Sequence, residues 1–192
     1  MKLWLIFAII IAAALGIIYF AGVQKQEPLP PRPPQTGTMT ISSSAFKHND
    51  LIPKKYTCDG DPPAGGISPP LTISGVPANA KSLALIVDDP DAPGKTWVHW
   101  IIWNFPPDIS QIPENARHAP DAQWPTEGTT DFGRPGYGGP CPPSGTHRYF
   151  FKIYALDTML NLSSSLKKSD LEAAMQGHIL DQAEFVGLYK RS

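Results

Sequence analysis

Apolar residues are not spread evenly along this chain. They gather in short runs separated by clusters of Pro, Gly, Asn and Asp, the pattern of β-strands joined by turns. Met39-Thr-Ile-Ser-Ser reads as a first short strand, and Leu71-Thr-Ile-Ser alternates apolar with polar like a second. Ser82 to Val87 is almost continuously apolar, as expected of a central strand covered on both faces. Trp97 to Phe105, WVHWIIWNF, follows, and period two puts Trp97, His99, Ile101, Trp103 and Phe105 on one face. Residues 108–138 hold few apolar runs and many turn residues, and read as a long excursion returning over a site. Thr146 to Asp157 is the clearest strand, with His147, Tyr149, Phe151 and Ile153 on one face. Ser169-Asp-Leu-Glu172 has the form of a capping box for a short helix to about Gln176, ended by Gly177. Ile179 to Tyr189 predicts the last strand.

The N-terminal pattern is different. Leu3 to Val23 is 21 residues without a charge, about 31 Å long as a helix and matched to a hydrocarbon core of about 30 Å. It reads as an uncleaved transmembrane anchor, the alternative being a signal peptide. Lys2 weakly favours the N-terminus inside and the remainder extracytoplasmic. Residues 24–38 form a linker with five prolines between Pro28 and Pro34, which favours extended polyproline II. Residues 39–192 are then the globular domain.

Composition narrows the class. The 22 prolines argue against an all-helical protein. A formal net charge of −1, with no basic run and no phosphate-binding glycine loop, gives no case for nucleic acid.

The chemistry-bearing residues cluster at two turns. The central apolar run stops at Asp88, Asp89 and Asp91, with Pro90, Pro93 and Gly94 forcing a turn before His99. Gly139-Pro-Cys-Pro-Pro-Ser-Gly-Thr-His147-Arg-Tyr149 is its counterpart. Asp89 or Asp91 can serve merely as turn formers. A carboxylate facing an imidazole can instead set its tautomer. Two histidines, a carboxylate and Tyr149 together suit an anion such as phosphate. A three-ligand metal site of Asp89, His99 and His147, or a hydrolase using Ser144, are weaker readings without supporting spacing. His178 could cap carbonyls after the helix, and His48 and His118 sit among polar residues. Cys58 and Cys141 are the only cysteines, and an extracytoplasmic domain would allow them to pair.

Asp89-Pro-Asp-Ala-Pro93, Trp97-x-His99-Trp100, Gly139-Pro-Cys-Pro-Pro143 and Gly145-Thr-His-Arg-Tyr149 resemble the phosphatidylethanolamine-binding protein family. The bacterial and archaeal branch, called Raf kinase inhibitor-like, is the nearest match. Tyr56-Thr-Cys-Asp-Gly60, Thr130-Asp-Phe-Gly133 and Gly177-His-Ile-Leu180 fit the same branch. The resemblance covers about residues 39–190. It implies a mainly β, antiparallel β-sandwich with a short C-terminal helix. It also implies a small anion pocket carried over onto Asp89, Pro93, His99, Pro143, His147 and Tyr149, with a cis Ala92-Pro93 bond in the turn. The resulting expectation is a non-enzymatic domain without cofactor or metal. It would be held at a membrane by residues 3–23 and bind a phosphate-containing small molecule or phospholipid headgroup. The rival is an inhibitor or regulator of a protein partner such as a protease or kinase.

Overall fold

The computed structural model describes residues 38–60, 66–116 and 125–191. The expected span Leu3–Val23 and the linker up to residue 37 lie outside the described residues, as does His118. Among the described residues no helix is long and apolar enough to cross a membrane.

Eight strands, one α-helix and one 3-10 turn (Lys54–Tyr56) make up the regular structure of the described residues. The strands and the helix are β1 (Thr40–Ser42), β2 (Leu71–Ser74), β3 (Ser82–Asp89), β4 (Trp97–Phe105), β5 (Gln111–Ile112), β6 (Thr126–Glu127), β7 (His147–Leu156), α1 (Lys168–Met175) and β8 (Ile179–Tyr189). One sheet runs β1-β2-β5 and the other β6-β4-β3-β7-β8, with every strand pair antiparallel. β3 lies at the centre of the larger sheet and is buried along its whole length, as its unbroken apolar run requires.

Two apolar layers follow. Between the sheets, Leu85, Val87, Phe151 and Ile153 meet Ile41, Leu71 and Ile73. On the other face of the larger sheet, Ala84, Ile86, Ile101 and Trp103 pack with Leu171 and Met175 of α1. The excursion at residues 108–138 contributes β5 and β6 and is otherwise turns where it is described.

β4 departs from the single face expected of it. Ile101 and Trp103 lie on the helix side, whereas Phe105, with Trp100 and Ile102, lies between the sheets. The reason is a pair of register shifts. Val87 opposes Trp100 while Asp88 opposes Val98, stepping past His99, and Leu83 and Ala84 oppose Phe105 and Trp103, stepping past Asn104. A bulge inserts one residue and so exchanges the faces beyond it. Asn104 has φ +66° and is held by its amide, which donates to Leu160 O at 2.8 Å and accepts from Leu160 N at 2.9 Å.

The helix start is also displaced from the expected capping box. Lys167 is the capping residue, and its N–H donates to the Asp170 carboxylate at 3.0 Å, so Ser169 lies inside the first turn. Gly177 adopts φ +82° just past the end, the left-handed position that glycine takes without a Cβ penalty.

Candidate functional site

β3 ends on two acids that alternate across the sheet. Asp88 turns to the helix side, where Lys152 reaches both its oxygens, at 2.7 and 2.8 Å, and Lys168 also donates to it. Asp89 faces the opposite way. Its Oδ1 accepts the Asp91 N–H at 2.8 Å, which stiffens the turn, and its Oδ2 accepts from His147 Nδ1 at 2.7 Å. Both members of that pair are nearly sealed, at 3% and 6% exposure. Asp91 has a different task. It takes Arg148 in a two-pronged ion pair and also accepts the Arg148 backbone N–H, tying the β3–β4 turn to the start of β7.

His99 stands at the bulge in β4. Its Nδ1 lies 2.6 Å from Gly138 O. A carbonyl only accepts, so Nδ1 carries the proton. Each ring thus has its Nδ1–H committed to a fixed acceptor, which leaves Nε2 as the nitrogen available to a ligand. Burial pushes the His99 pKa below the ordinary imidazole range, against the opposing pull of the Gly138 carbonyl and nearby carboxylates. Tyr149 lies edge-on to His99 with ring centroids 5.1 Å apart. Its hydroxyl is buried and makes no hydrogen bond of ordinary geometry, although it lies near enough to the Asp89 carboxylate to feel it. Burial and then the Asp89 charge push its phenol well above the usual range.

All six site residues expected from the sequence line one pocket of about 260 Å³: Asp89, Pro93, His99, Pro143, His147 and Tyr149. Ala92, Trp97, Phe132, Cys141 and Pro142 line it as well. The sequence reading placed Trp97 on the His99 face and quoted Phe132 within Thr130-Asp-Phe-Gly133, without giving either a role in the pocket. Trp97, an aromatic within a strand, looks like core, and Phe132 stands in a turn-rich stretch without any local signal of a pocket role. Cys141 is disulfide-bonded to Cys58, and Cys58 N donates to Pro140 O at 3.0 Å. One wall of the pocket is thereby fastened to the Thr57–Gly60 loop.

The other candidates lie elsewhere. Ser144 is exposed and outside the pocket lining. Asp89 is already engaged by His147 and the Asp91 amide, and among the described residues no three His, Cys, Asp or Glu side chains gather as a metal site. His178 does not cap carbonyls with its ring, which instead pairs with Asp157 at 2.7 Å. His48 is exposed, and its Nδ1 accepts the Val186 N–H at 3.2 Å.

Fold and site together define a two-sheet β protein with a small apolar-walled pocket floored by two anchored imidazoles and a tyrosine. The family model described as phosphatidylethanolamine-binding protein matches residues 42–190. The chain belongs to the phosphatidylethanolamine-binding protein family. A UPF0098 protein of Methanothermobacter thermautotrophicus is 52% identical over 156 residues, which span 80% of this chain and 99% of that one. A UPF0098 protein of Archaeoglobus fulgidus is 44% identical over 93% of this chain and 58% of its own length. Among solved structures, a phosphatidylethanolamine-binding protein homologue from Chlamydia trachomatis superposes with a TM-score of 0.73 at 43% identity, covering 80% of this chain and 98% of that one. YbcL of E. coli, described as a new member of the mammalian family, gives 0.72 at 31% identity over 80% and 99%.

Proposed function

We propose that this chain is a binding protein whose pocket takes a phosphate-like anion, held at a membrane surface by its N-terminal segment. The observation that carries the reading is the floor of the pocket. Two imidazoles with anchored Nδ1 atoms and a buried tyrosine hydroxyl without a well-formed hydrogen bond stand together inside apolar walls. A buried hydroxyl without a good hydrogen bond is costly, and an anion oxygen would satisfy it. Asp89 keeps the His147 ring oriented, and protonation of either Nε2 supplies a charge-assisted donor. What supports the membrane placement is the 21-residue uncharged run Leu3–Val23, together with a disulfide of the kind that persists in oxidising compartments.

The test is calorimetric titration of the full chain in detergent micelles with inorganic phosphate, while the ring signals of His99 and His147 are followed by NMR. Saturable heat with shifts in both rings is the expected result. Saturable binding that leaves both rings unmoved refutes the imidazole floor. The pH dependence has a fixed sign. A buried neutral His99 has a folded pKa below its unfolded value of 6.5. Its contribution to stability is therefore present above pH 6.5 and is lost as the pH falls towards the folded pKa. A bound anion favours the imidazolium, so with sulfate, whose own charge does not change between pH 8 and 5.5, binding takes up protons and affinity rises as pH falls. Because His99 titrates low, the rise continues below 6.5 instead of levelling there. Affinity flat across that window removes histidine from the binding chemistry.

A further inference from the structure

The floor and the mouth of the pocket are built from different chemistry. His99, His147 and Tyr149 are nearly sealed, whereas Trp97 is half-buried and Phe132, Pro93 and Pro143 are exposed, so these last four form the mouth. Phe132 is 40% exposed, yet it has a defined seat. Its ring stands edge-on to Trp97 at 5.7 Å and to His99 at 5.4 Å. Its loop is fastened to β4 on both sides. Asp131 N donates to Val98 O, the Asp131 carboxylate accepts from Val98 N, and Gly138 N donates to His99 O. The ring lies against Gly138, where a Cβ would overlap its edge.

The carboxylates in and around the pocket already have hydrogen-bond partners. Asp89 holds His147, Asp91 holds Arg148 and Asp131 holds Lys95. The Lys95 ammonium also sits 5.2 Å from the Trp97 ring centroid, where a ligand cation would otherwise gain from the ring. An incoming ammonium group meets no free carboxylate. An apolar group meets ring edges and prolines, which favour it.

We propose that Phe132, seated on Gly138 and facing Trp97, is the specificity residue of the pocket. The ligand class is an organophosphate with an apolar, planar substituent, in preference to bare phosphate or a phosphate ester carrying an ammonium group. The inference rests on the phosphate reading above, and the test separates the two.

The full chain in detergent micelles is titrated by calorimetry with inorganic phosphate, phenyl phosphate and O-phosphoethanolamine. Phenyl phosphate is expected to bind about tenfold tighter than phosphate, the scale of one good aromatic contact, and phosphoethanolamine no tighter than phosphate. Phe132→Ala should abolish the preference, bringing the ratio of phenyl phosphate to phosphate affinity down to about one, since the aromatic contact at the mouth is lost. Gly138→Ala displaces the ring but keeps the backbone carbonyl that accepts from His99 Nδ1, so it should repeat that loss of preference with the His99 tautomer unchanged. Equal affinity for phosphate and phenyl phosphate, or tighter binding of phosphoethanolamine, overturns the role of Phe132 and leaves the anion site standing. Loss of phosphate binding in Phe132→Ala also overturns it, because the ring would then be supporting the floor. Binding of none of the three probes removes both proposals.

Discussion

Tyr149 carries a hydroxyl that its own fold leaves unused. The ring is packed in the core between the sheets and the oxygen is buried without a well-formed hydrogen bond. If the residue were only structural, its hydroxyl would be a liability, since an unsatisfied buried polar atom costs about 1–3 kcal/mol. Tyr149→Phe is therefore expected to leave the ligand-free protein as stable as before, or slightly more so. It should also weaken phosphate binding by roughly tenfold, the scale of one hydrogen bond to a charged group. Paired thermal melts, without and with saturating phosphate, read both effects, and an unchanged phosphate-induced shift in Tm sinks the ligand role. At this scale the sequence was informative where a residue breaks its local pattern. Three acids end an apolar run at Asp88, and a histidine interrupts the apolar residues of β4. Phe132 and Trp97 break no pattern. Their roles depend on which loop folds back beside β4, and no short-range signal in the chain specifies that return.

Strand existence was legible because apolar runs and turn clusters punctuate the chain, and β4 and β8 have the limits expected, Trp97–Phe105 and Ile179–Tyr189. The face of each β4 side chain was not, because the bulges at His99 and Asn104 are set by tertiary contacts. Asn104 is the clearer case. Its left-handed backbone costs about 1–2 kcal/mol for most residues, and its amide holds Leu160 from both sides. Asn104→Ala keeps the side chain small but loses both hydrogen bonds and the residue type that tolerates φ +66°. A destabilisation of about 2–4 kcal/mol is expected in urea unfolding, with phosphate affinity of the folded fraction unchanged. The pocket-end bulge at His99 is separate in the ladder and stays formed. A loss below about 0.5 kcal/mol, the level of an ordinary surface substitution, would show that the bulge is held by something other than Asn104.

At the scale of the whole molecule, the pocket depends on a covalent link between loops far apart in sequence. Cys58 and Cys141 are separated by 83 positions, and a loop of that length removes chain entropy from the unfolded state worth about 4–5 kcal/mol in the loop-closure model. The bond matters twice, because Cys141 is itself in the pocket wall. Replacing both cysteines by serine should therefore lower stability by about 4 kcal/mol. It should weaken phosphate binding as well, since the Gly139–Pro143 wall would lose its covalent tie and rest on hydrogen bonds such as Cys58 N to Pro140 O and the adjacent Tyr137 hydroxyl to Tyr56 O. The same bond reports where the domain resides. An anchor with its N-terminus inside would carry residues 39–192 into an oxidising space, and there the two thiols should resist alkylation until a reductant is added. Membranes are isolated in the presence of a maleimide and the chain is run with and without prior reduction. Labelling only after reduction fits an extracytoplasmic domain that depends on its disulfide. Full labelling before reduction would place the thiols in a reducing compartment, and the pocket would then have to hold its wall by hydrogen bonds alone.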